Sequence, residues 1–158
     1  MKQIIYTFIL IFICSIFLGC SNTIDTIPNN SDSTYIKYGT FYGMCAGYCK
    51  KDIHISQAIL IFKKTANYLD SRHPDSTKSF IVPLSEYNEL FNSIDFSKFQ
   101  KLDSIIGCPD CHDQGGEWLE IKKNGSIKKV TLGSGDSIPE IQTFLNKIRI
   151  YFAKYKDL

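Results

Sequence analysis

Residues 117–132, EWLEIKKNGSIKKVTL, constrain this chain more than any other stretch. Apolar and polar residues alternate on both sides of Asn124-Gly125. Asn-Gly accepts the two successive positive φ angles of a type I′ turn, whose twist matches that of two antiparallel strands. The stretch predicts a β-hairpin, and a lone hairpin needs more strands or a helix over its apolar face. The remaining sequence offers both. Residues 34–41, TYIKYGTF, alternate and predict a strand. Tyr42 to Cys49, YGMCAGYC, reads as a tight loop. Lys50 to Tyr68 predicts two strands or one long bent strand, with Ile53, Ile55, Ala58, Leu60 and Phe62 facing inward. SFIVPL is a short strand stopped by Pro83. Ser85 is expected to cap a helix on which Leu84, Tyr87, Leu90, Phe91 and Ile94 share a face. DFSKFQKL offers a short helical turn. Pro139 suits the first turn of a last helix, whose Ile141, Phe144, Leu145, Ile148 and Phe152 form an apolar stripe. Trp118 is assigned to the core. The predicted fold class is α+β: an antiparallel sheet with two helices packed on one face, in strand–strand–helix halves.

The amino terminus carries a different signal. Lys2 precedes an apolar run from Ile4 to Leu18, too short for the ~20 residues of a comfortable membrane span. It suits the hydrophobic region of a secretory signal. The run ends in Phe17-Leu18-Gly19-Cys20-Ser21, which resembles the lipobox of bacterial lipoproteins. A peptidase needs a small residue before the cut, and Gly19 supplies it. Phe17 stands where leucine is usual, with similar apolar bulk. The resemblance implies diacylglycerol on the Cys20 thiol and a further acyl chain, of the palmitate class, on its new amino group. Each buried methylene contributes ~0.8 kcal/mol, so several chains make a durable anchor. The expected organisation is a signal peptide over 1–19, a flexible polar tether over 20–33 and one domain over 34–158. The expected location is the bacterial cell envelope, outer membrane favoured, and the expected partners are the membrane and an envelope protein or ligand.

Charge excludes one class. Removing Lys2 from the 18 cations leaves 17 against 16 acids. Such a balance gives no case for nucleic acid, which calls for a basic stripe.

Of six cysteines, Cys14 leaves with the signal and Cys20 carries lipid, leaving Cys45, Cys49, Cys108 and Cys111. Four readings stand. An even set in an exported domain reads first as disulfides, with three possible connectivities. The string Cys108-Pro109-Asp110-Cys111-His112 also matches a c-type haem site: two thiols for the vinyl groups and a histidine for iron. Its polar, glycine-rich surroundings do not suit a haem pocket. The four thiols could hold zinc, although the first arm has three intervening residues and the compartment is oxidising. Cys108 and Cys111 have the spacing of a redox dithiol, but that motif opens a helix, whereas Gly115-Gly116 and a strand follow here.

Tyr42 to Cys49 and its following strand, with CPDC and GGEWLEI further on, resemble an uncharacterised bacterial lipoprotein family, a domain of unknown function. Its members carry a C-x-G-x-C-P-like loop before a strand, mostly behind a lipobox. The glycine is displaced here, and Lys50 stands where proline is usual. The resemblance implies a fold and little chemistry, and it favours local pairing, Cys45 with Cys49 and Cys108 with Cys111.

No Ser-His-Asp arrangement stands out. His54 lies in a strand pattern and His73 in a turn. Asp110, Asp113 and Glu117 flank glycines without EF-hand spacing, and Gly133 to Ser137 lacks a phosphate-loop lysine. The reading is a lipid-anchored, non-enzymatic binding or structural domain stabilised by disulfides, with no cofactor. The alternative is an envelope redox protein using Cys108, Cys111 and His112.

Overall fold

The computed structural model describes residues 34–68 and 71–158; the expected signal, Cys20 and the tether lie outside them. The domain is α+β. Its strands are β1 (Tyr35–Phe41), β2 (Lys50–Ser56), β3 (Ile59–Thr65), β4 (Ser76–Ile81), β5 (Ile105–Ile106), β6 (Gly116–Lys123) and β7 (Ser126–Gly133). Helices α1 (Leu84–Asn92) and α2 (Phe96–Lys101) follow β4. A 3-10 turn (Pro139–Ile141) leads into α3 (Gln142–Ala153) after β7. The halves are unequal: four strands and two helices, then three strands and one helix. Among the described residues no helix is long and apolar enough to cross a membrane.

The sheet order is β4-β3-β2-β1-β6-β7-β5. The expected antiparallel sheet is corrected at one edge, where the two residues of β5 pair parallel to β7. The result is a mixed sheet, mostly antiparallel. The β6–β7 hairpin turns at Asn124 and Gly125, with φ of 52° and 75°. The β2–β3 hairpin turns at Gln57 and Ala58, also with positive φ, so Ala58 belongs to the turn and not to the core.

Register puts the apolar residues in rows. Ile36 lies opposite Ile55 and Ile121, and Tyr38 opposite Ile53 and Leu119. Leu60 and Phe62 extend these rows on β3, and Val130 extends them on β7. All are buried, and Leu90, Phe99, Phe144, Leu145, Ile148 and Phe152 from the helices join the same core. Burying each such side chain contributes ~1.5–3 kcal/mol. The α3 stripe is thus buried as its spacing required.

Three local expectations are corrected. Pro83, not Ser85, occupies the cap position of α1, and no side chain caps that helix. Proline's fixed φ sets the entry, and Tyr87 N–H closes the first turn onto Pro83 O at 3.1 Å. Leu84 sits in the exposed first turn, 60% accessible. Trp118 lies on the sheet face opposite the core, because its neighbours Glu117 and Leu119 point inward. By contrast α2 has an acidic cap: Asp95 Oδ1 accepts from Lys98 N–H at 3.2 Å and from Ser97 Oγ at 2.7 Å.

Glu117 is the one charged residue fully buried among the described residues. Its Oε2 accepts from Tyr38 Oη at 2.8 Å and from Arg149 Nε at 2.8 Å. Its Oε1 accepts from Gly135 N–H at 2.9 Å. Arg149 Nη2 also donates to Asp136 O at 2.7 Å. Burial, then the charge of Glu117, pushes the Tyr38 phenol far above its ordinary range. One carboxylate therefore joins β6, β1, α3 and the loop after β7. Removing one partner of a buried pair leaves an uncompensated charge, at about 3–5 kcal/mol. Arg149→Ala is expected to lower unfolding free energy by that amount in urea denaturation, and Arg149→Lys by less.

Candidate functional site

The β1–β6 ladder sets Phe41 opposite Gly116. The loop leaving β1, Tyr42 to Cys49, therefore starts beside the loop entering β6, Gly107 to Gly115. Both contain a cysteine pair. The sulfurs of Cys45 and Cys49 lie at disulfide distance with Cα atoms 5.6 Å apart, and those of Cys108 and Cys111 with Cα atoms 5.5 Å apart. Those separations lie within the usual Cα range of a disulfide. Each bridge closes its own loop.

Asp110, between the second pair, ties the loops together. Its Oδ2 accepts from Gly43 N–H at 2.7 Å, and its Oδ1 accepts from Gly115 N–H at 2.9 Å. Gly43 is required by this approach, since a Cβ there would collide with Asp110 Oδ2. On the other side Asn67 Nδ2 donates to Tyr42 O at 2.8 Å and to Gly43 O at 2.7 Å. The first cysteine loop is thus held by side chains from β5–β6 and from the segment after β3. Nothing in the sequence of CPDC announced this partner, although an aspartate with φ of 62° is a usual choice for a left-handed turn residue.

The chemistry open to the cysteines follows from their setting. Cys49 is 2% exposed, whereas Cys45, Cys108, Cys111 and His112 lie at the surface. Cys108 to Asp113 form turns and no helix, so the pair does not open a helix as a redox dithiol motif does. Bridging Cys108 to Cys111 uses both thiols that a haem would need for its vinyl groups. The three carboxylates near Gly115 do not converge on an ion. Asp110 is engaged by backbone amides, Glu117 faces the core, and Asp113 is exposed. Among the described residues no group of three or more metal-ligating side chains comes together.

A second constellation lies on the sheet face opposite the core. The pyrrole edge of Trp118 leans over Gly39, where a Cβ would stand 2.7 Å from its Nε1. Lys129 Nζ lies 4.6 Å from the indole centroid. Beside it, Glu120 Oε1 accepts from Tyr35 Oη at 2.9 Å and from Lys37 Nζ at 3.1 Å. Burial, then Glu120, pushes the Tyr35 phenol up to about 12. His54 packs edge-on to Tyr35 at 5.1 Å, and its buried Nε2 has no partner among the described residues. His73 instead meets Tyr48 edge-on at 5.3 Å.

Two outcomes are expected. Asp110→Ala should speed amide hydrogen exchange at Gly43 and Gly115, while Asp110→Asn, which keeps one acceptor and tolerates positive φ, should do so less. Burial, then the Lys37 charge, pulls the His54 imidazole below its usual range against the opposing pull of Glu120. The unfolded chain then takes up a proton before the folded one does, so stability falls as pH drops below about 6.5. His54→Gln should flatten that fall in urea titrations at stepped pH. Comparison with known families and with curated proteins found no match for this chain.

Proposed function

We propose that this chain is a lipid-anchored protein of the bacterial envelope, held to a membrane through Cys20, with the outer membrane favoured. Its domain acts in binding or assembly, without catalysis, and belongs with the uncharacterised lipoproteins that carry a C-x-G-x-C-type loop. The observation that carries this reading is the pairing of all four domain cysteines, each pair within its own loop. Chains keep such bridges in oxidising compartments, and the apolar run ending at Gly19-Cys20 supplies the route there. In this reading α1 and α3 pack on the core face of the sheet, each half ending in a helix, and the opposite face stays open for a partner. The phenols pushed up furthest, Tyr38, Tyr151 and Tyr35, are all hydrogen-bonded to carboxylates.

A redox role is the second reading, favoured by the exposure of Cys108 and Cys111. Intact mass from the native envelope separates the two. The structural reading expects acylated Cys20 and four domain thiols that appear only after strong reduction. Haem mass surviving denaturation, or Cys108 and Cys111 alkylated without reductant, overturns it. Cys20→Ser is expected to leave an unprocessed precursor without added lipid mass.

A further inference from the structure

Overall charge is nearly balanced, but the strands are rich in lysine. By register, Lys37, Lys50, Lys63, Lys122 and Lys129 project from the open face, against Asp52 and Glu120. Glu120 is engaged by Lys37, and Lys63 is paired with Asp75 at 3.6 Å. This face therefore carries five lysines against two carboxylates.

A groove of about 430 Å³ crosses it, lined by Trp118, Asp52, Lys50, Lys63, Lys129 and Thr131. That volume is in the range of small-ligand sites. Three chemistries meet in it. The indole is positioned by the bare Cα of Gly39, giving a fixed aromatic surface. Lys50, Lys63 and Lys129 supply amines around that ring. Asp52 supplies an acceptor; burial pushes its carboxyl above the usual range while Lys63 and Lys37 pull it back.

We propose that this groove binds an acidic glycan, a polymer of sugar acids. The sugar's C–H face lies on the Trp118 indole, its carboxylates meet Lys63 and Lys129, and a hydroxyl donates to Asp52. The sugar displaces Lys129 Nζ from over the indole to meet a carboxylate, and the exposed cation–aromatic contact given up contributes only ~0.5–1 kcal/mol. Asp52 and Glu120 repel sugar carboxylates and phosphates alike, and the lysines of this face outnumber them for either; the choice of a glycan over nucleic acid rests on the envelope reading.

Trp118 is the chain's only tryptophan, so its fluorescence reports on the groove directly. The full chain in neutral detergent is titrated with polygalacturonate, with dextran as the uncharged control, at low and at high salt. The expected result is a saturable fluorescence change with polygalacturonate alone, weakened by salt. The Lys63→Gln, Lys129→Gln double variant should weaken it about tenfold, roughly 1.4 kcal/mol, with unchanged thermal unfolding. No change with polygalacturonate, an equal response to dextran, or an undiminished response in the double variant overturns the proposal. Tighter binding to oligothymidylate, or a response only when phosphatidylglycerol is added to the micelles, overturns it in favour of those ligands. Localisation and binding are read separately: a mass showing no lipid on Cys20 removes the envelope reading and leaves the titration interpretable.

Discussion

A single buried carboxylate, Glu117, organises the domain. A charge inside a low-dielectric core is costly unless it is paired and hydrogen-bonded. Glu117 meets that demand with Tyr38, Arg149 and Gly135, taken from a central strand, the last helix and the loop after β7. The position of α3 against the sheet is therefore specified by a directional network and not by apolar contact alone. The same inward turn of Glu117 sends Trp118 outward, and so the core network and the open-face groove are two sides of one register.

The cysteine loops extend that register. Because Phe41 stands opposite Gly116, the loops on either side are neighbours before any bridge forms. Asp110 then converts adjacency into contact. Each bridge spans only a few residues, so in the chain-entropy picture it stabilises modestly compared with a bridge closing a long segment. The bridges stiffen two turns, and Asp110 and Asn67 make the turns act together. The result is a rigid end to the sheet.

The parts of this fold that were legible were those governed by local rules. The Asn124-Gly125 turn, the alternation of β1 and β6 and the apolar stripe of α3 were all readable, because each depends on period and turn chemistry. The misread positions depend on tertiary choice. Gln57-Ala58 turns a hairpin without glycine or asparagine, so the β2–β3 boundary carried no turn signal. β5 is two residues long and is a strand only because β7 lies beside it. Trp118 looked like core by size, but strand parity set by Glu117 and Leu119 decided its face. At the cysteines, spacing left zinc, haem, dithiol and disulfides open, and the clasp by Asp110 had no sequence signature. The open-face charge was hidden because the basic residues on five strands sum with acids elsewhere to near neutrality.

The position of β1 has a kinetic consequence. It is the first strand of the domain yet lies at the middle of the sheet, with β2 following at once and the partners on β6 lying 75 to 87 residues later. Closing so long a loop is slow, because its entropy is lost before the contacts form. A chain emerging from its amino terminus can assemble the β1–β4 meander early, but β1 then remains an open edge, with Ile36 and Tyr38 without their cross-strand neighbours Ile121 and Leu119. Such an edge is a template for mispairing. The interval between the emergence of β1 and the arrival of β6 is thus when this chain is most exposed to aggregation.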